Sequence, residues 1–137
     1  MNKGSARFLV AAGLIGALAG VGLDRALIAQ QVGVVRTPLV TVPDPAAPTH
    51  EVTLASVSIA PGATTGRHRH PGIEVGYVLE GELTIEQDGG RPALSLKPGD
   101  AFNTSGVHNG TNRGTTPVKL VVAYVFEKGK PVAEAVP

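Results

Sequence analysis

Turn signals recur about every ten residues along most of this chain, and the segments between them are rich in β-branched side chains. Val52 to Ile59 stops at Pro61-Gly62, Glu74 to Glu80 stops at Gly81, and Glu82 to Gln87 stops at Asp88-Gly89-Gly90, a strong hairpin signal. Ala93 to Leu96 ends at Pro98-Gly99, and Val118 to Phe126 places Val118, Leu120, Val122, Tyr124 and Phe126 on one face. Short strands at such intervals predict an all-β sandwich or barrel. No window from 30 to 137 carries a helical period. Val32 to Val42 predicts one earlier strand, after which Pro43, Pro45 and Pro48 forbid regular structure. Residues 30–49 are thus a Pro-rich linker with an early strand, 50–127 the barrel, and 128–137 a frayed or edge-covering tail.

The start of the chain follows a different logic. Lys3 and Arg7 precede an uncharged, apolar-to-small run from Phe8 to Leu23, which Asp24 and Arg25 interrupt. This is the pattern of an export signal, with an A-x-A-like site at Ala17-Leu18-Ala19. The alternative is an uncleaved anchor helix lengthened by Ala26 to Ala29. Both readings of residues 1–29 place the barrel outside the cytoplasm, periplasmic, secreted or tethered, and membrane contact is expected only through an uncleaved residues 1–29. Without residues 1–29, nine cations face ten anions, a net charge of −1. No basic surface points to nucleic acid. With 42% hydrophobic and 17% charged residues the chain is not of disordered composition, and the absence of cysteine excludes disulfides and thiolate chemistry.

One segment carries chemistry. If residues 67–70 are extended, His68 and His70 point to one face while Arg67 and Arg69 point to the other, where they read as surface or interface charges. Pro71-Gly72 turns the chain so that Glu74 can return to the same spot, and His108 follows 34 residues later, beyond a second Pro-Gly turn. Three imidazoles and a carboxylate form a mixed nitrogen and oxygen set that suits one divalent transition metal, Fe, Mn, Co, Ni, Cu or Zn, without choosing among them. His50, in its Pro-rich setting, is expected in solvent. Gly76 shares the inward parity of Glu74, either leaving room for a ligand or relieving crowding, whereas Tyr77 points outward. Phe102 and Tyr124 are expected in the core, and Asn112 as a loop hydrogen bonder.

The spacing Gly62-x5-His68-x-His70-x3-Glu74-x6-Gly81 resembles the first motif of the cupin superfamily at every fixed position. Pro98-Gly99-Asp100, His108 and Asn112 resemble its second motif in order, although the usual P-x-G before the histidine is replaced by Asn103-Thr-Ser-Gly-Val107. The likeness covers residues 50 to 127 and implies a small jelly-roll β-barrel with a divalent metal on His68, His70, Glu74 and His108. It implies chemistry on a small molecule that occupies the metal's open positions. The expectation is a dioxygenase-like oxidoreductase acting on a small chelating molecule, with Glu74 as a possible general base. The alternatives are a Lewis-acid isomerase or lyase, or a binding module without turnover. An open sheet edge near residues 30–48 leads to the expectation of a homodimer.

Overall fold

A computed structural model describes residues 31–137. The segment read as a signal or anchor lies outside the described residues. The described residues form ten strands and no helix, and so contain no helix long and apolar enough to cross a membrane. The strands are β1 (Val34–Pro43), β2 (His50–Ile59), β3 (His68–Arg69), β4 (Ile73–Glu80), β5 (Leu83–Gln87), β6 (Leu94–Leu96), β7 (Ala101–Thr104), β8 (His108–Thr111), β9 (Val118–Glu127) and β10 (Glu134–Ala135).

They make two five-stranded sheets, ordered β1-β2-β9-β4-β7 and β10-β3-β8-β5-β6, with all pairings antiparallel. The strand pairs are nested. β5 pairs β6, β4 pairs β7, β3 pairs β8 and β2 pairs β9. The chain therefore runs out from β2 to β5, reverses near Gly89-Gly90, and retraces itself from β6 to β9. Successive pairs alternate between the sheets, which rolls this long hairpin into a jelly-roll barrel.

The alternation seen in the sequence sets the inside of the barrel. Val118, Leu120, Val122, Tyr124 and Phe126 of β9 are all buried, facing Leu83, Ile85 and Leu96 of the other sheet. Fully burying such a side chain contributes roughly 1.5–3 kcal/mol, so this interior is the main source of cohesion. Asn112, fully buried, donates from Nδ2 to the carbonyls of Ile59 and Thr116 at 2.9 and 2.8 Å and accepts from the Gly114 amide at 2.9 Å. It ties the loop after β8 to the end of β2 and acts as the expected hydrogen bonder.

Two glycines admit close approaches that a Cβ would block. At Gly72, a Cβ would stand 2.0 Å from the Val125 carbonyl oxygen. Only a bare backbone can make this turn and bring β4 alongside β9. At Gly76, a Cβ would meet the Phe102 ring at 2.2 Å, so this position relieves crowding and makes room for the aromatic ring.

Candidate metal centre

The site is assembled from two facing rows of residues. On the short-stranded sheet, His68 of β3 lies directly opposite His108 of β8. On the long-stranded sheet, Glu74 of β4 lies between Thr104 of β7 and Tyr124 of β9. His70 follows β3, and its ring stands 4.9 Å from that of His68, 5.2 Å from that of His108 and 5.2 Å from that of Tyr124. The three histidines each offer a ring nitrogen, all within 4.8 Å of one another, and could hold a metal ion. Glu74 Oε2 stands 3.3 Å from His70 Nε2 and 3.5 Å from His108 Nε2. The structure thus brings His68, His70, Glu74 and His108 to one place inside the barrel. His50 sits apart from them at the start of β2, with Nδ1 3.0 Å from the Thr49 hydroxyl.

Main-chain carbonyls orient the imidazoles. His68 Nδ1 lies 2.8 Å from the Gly66 carbonyl, His70 Nδ1 2.6 Å from that of Val132, and His108 Nδ1 3.1 Å from that of Gly106. A carbonyl only accepts, so each Nδ1 carries the proton and each Nε2 keeps a bare lone pair. His70 Nε2 is buried and makes no hydrogen bond among the described residues, although Glu74 Oε2 lies 3.3 Å away. A buried nitrogen without a partner is costly unless something binds it. Three imidazoles poised in this way, beside a carboxylate, fit a divalent transition metal.

The electrostatics favour the metal-binding forms. Burial lowers the His68 pKa from 6.5 to about 4, against the Gly66 bond and with smaller contributions from His108, His70 and Arg36. Burial also lowers that of His108. Both rings are therefore neutral at pH 7. Burial alone would raise the Glu74 pKa, but the facing His70 ring, a hydrogen bond from the Thr104 hydroxyl and the nearby His108 ring outweigh it and lower it to about 2. Burial and the Glu74 carboxylate raise the Tyr124 phenol well above its ordinary range, against the opposing charge of Arg36.

Several residues here carry no motif. Thr104 donates to Glu74 Oε2 and lies 3.4 Å from His108 Nε2. Val132 contributes only its carbonyl, held in place where β10 pairs with β3 and Arg69 Nε meets Glu134 at 2.9 Å. Arg67 pairs with Asp88 at 2.5 Å on the exterior, so both arginines of the histidine motif do face outward. Arg36 of β1, by contrast, lines the central cavity, which is open at its mouth, with His68, Glu74, His108 and Tyr124. Its signal in the sequence is parity: it shares the inward face of Val34.

No curated protein matches this sequence. Among solved structures, a cupin-like protein from Thermotoga maritima is similar at 25% identity and a TM-score of 0.56, over 75% of each chain. The polyketide cyclase RemF from Streptomyces resistomycificus is similar at 20% identity and a TM-score of 0.60, over 79% of this chain and 74% of that one. The DMSP lyase DddQ from Ruegeria pomeroyi is similar at 20% identity and a TM-score of 0.58, over 75% of this chain and 51% of that one. The Cupin_2 family, a cupin domain, matches residues 55–124, which span β3 to β8 complete with half of β2 and most of β9. With its nested strands and inward-facing histidines, the chain belongs to the cupin family.

Proposed function

We propose that this protein is an exported, metal-dependent cupin acting on a small chelating molecule, with His68, His70, Glu74 and His108 as the metal ligands. The observation that carries this reading is the convergence of three buried imidazoles whose Nδ1 atoms are all committed to carbonyls. A divalent metal there would supply open coordination positions for a chelating ligand and for water or dioxygen. The chain supplies the rest. Glu74, held ionised by its neighbours, brings negative charge to the centre and is a better ligand than base. The apolar walls, Val57, Ile59 and Leu120 among them, exclude bulk water.

The first reading of the reaction is a dioxygenase-like oxidation. The second is lyase, isomerase or cyclase chemistry without oxygen, for which the Tyr124 phenol beside His70 stays protonated and can hydrogen-bond a ligand oxygen. The likeness to a cyclase and a lyase supports it too. The test is metal analysis of the protein from its own host, followed by oxygen uptake and product analysis with diketones and phenols. Oxygen uptake that requires His70 supports the first reading, and product without uptake supports the second. A metal-loaded protein that binds and converts nothing leaves a binding module.

Export rests on the basic start and apolar run of residues 3–23. The mass of the mature protein from its host separates a cleaved signal from an anchor. We propose a homodimer through the outer face of the long-stranded sheet, where Val40, Val42, Ile73, Val75, Tyr77 and Leu79 are exposed. Four strands at ~4.8 Å and about eight residues at ~3.3 Å give a face of roughly 19 by 26 Å. This is of the order of the ~800 Å² that each partner of a stable pair covers. Sizing chromatography of the Val75→Lys variant should shift elution from dimer to monomer; a monomeric parent protein would sink the dimer.

A further inference from the structure

Arg36 is out of place by the rules that shape the rest of β1. Most of this edge strand points its side chains to solvent, yet Arg36 turns inward and lines the cavity beside Val57 and Ile59. A guanidinium among apolar walls is costly unless an anion or strong acceptors meet it. Its neighbour is the Tyr124 hydroxyl, and among the described residues no carboxylate pairs with it. It is also the guanidinium in the lining of a cavity whose opposite sheet carries His68 and His108, with Glu74 further along its own sheet. β1 lies outside residues 55–124, the part that matches the family model.

We propose that Arg36 is the anion-recognising residue of the cavity, and that the ligand is a small carboxylate whose other end presents an oxygen donor to the histidine cluster. This rests on the reading of the centre as a metal site and names the ligand class for it. A guanidinium matches a carboxylate through two parallel N–H···O bonds, which fixes orientation as well as charge. A single cation in a mostly apolar wall suits a monoanion better than a phosphate dianion, which normally draws on several donors. Tyr124, which the guanidinium reaches, sits between Arg36 and Glu74 and is a positioning residue that sets the angle of the fork.

The test uses the cobalt-loaded protein and its visible spectrum, titrated with succinic monohydroxamic acid and with its neutral terminal amide. The hydroxamate end of both probes chelates metal, and only the far end differs. The acid is expected to bind at least tenfold more tightly than the amide, the scale of a charge-assisted hydrogen bond. In Arg36→Met the two probes should bind alike, with cobalt stoichiometry unchanged. In Arg36→Lys, which keeps the charge and loses the fork, the preference should be intermediate. A protein that binds cobalt but shows no preference for the acid overturns the proposal and leaves the metal reading intact, as does a preference that survives Arg36→Met. A protein that takes up no cobalt overturns both readings.

Discussion

The two sheets of this barrel divide the labour unequally. The long-stranded sheet holds β1, β2 and β9, each ten residues long, and nearly every second residue of β2 and β9 is buried. The other sheet is made of strands of two to five residues, and two of them, β3 and β8, carry or adjoin His68, His70 and His108. The histidine cluster thus sits on the sheet with the shorter strands, and Glu74 meets it from the other. It is steadied by hydrogen bonds from histidine rings to carbonyls and by the returning tail at β10. The lesson is that scaffold and site can be separated within one small barrel. Apolar alternation builds the former, and a few directed polar contacts build the latter.

That separation can be attacked from both sides. The largest effect is expected from His70→Ala or His108→Ala. Each should abolish stoichiometric metal uptake, read by elemental analysis, while leaving the metal-free protein folded by circular dichroism. If the metal persists in both variants, the histidine cluster is not the site. Next comes acid. With His68 lowered from 6.5 to about 4, the unfolded chain binds a proton that the folded chain refuses between those values. The stability of the metal-free protein should therefore be full above pH 6.5 and fall as pH drops through that window, by up to about 3 kcal/mol from His68 alone. Urea midpoints at pH 7 and pH 4 measure it, and a flat profile would contradict the burial of that ring.

On the scaffold side, Val122→Ala should cost about 2 kcal/mol of stability, from two lost methyl groups and the space they leave. Metal stoichiometry should not change, since the Val122 side chain offers no ligand atom. Thr104→Val crosses the divide. It keeps the shape but withdraws the hydroxyl from Glu74, and should weaken metal binding about tenfold with little loss of fold. The smallest effect belongs to Arg69→Ala, which removes an exposed ion pair with Glu134 worth less than ~1 kcal/mol. A large loss of metal in that variant would show that β10 depends on this pair to present the Val132 carbonyl.

Much of the scaffold could be read in the sequence because it is repetitive. β2, β4, β5 and β9 are β-branched runs closed by glycine or proline, and their inward residues follow simple alternation. The strands Ala101–Thr104 and His108–Thr111 carry no such signature. They are strands because β4 and β5 present edges that pair with them, a tertiary cause that local composition does not contain. The ligand-bearing residues were legible through the spacing of His68, His70 and Glu74. Their supports were not, because the Gly66, Val132 and Gly106 groups that orient the rings are backbone, common to all residue types. Arg36 and Thr104 depend on parity and register across strands, which become certain only when the pairing is known.

The nested pairing of strands has a consequence for how the barrel comes into being. The β5–β6 hairpin joins residues close in sequence, whereas β2 and β9 unite residues such as Ile59 and Val118, and His50 and Glu127. Each successive pair closes a longer loop than the last, so assembly is cheapest when it zips outward from the hairpin near Gly89-Gly90. The imidazole row of β3 and β8 then forms late, only one pair before the outermost seam. A newly made chain would pass through its compact stages without a complete histidine cluster, and any ion held there would be acquired last.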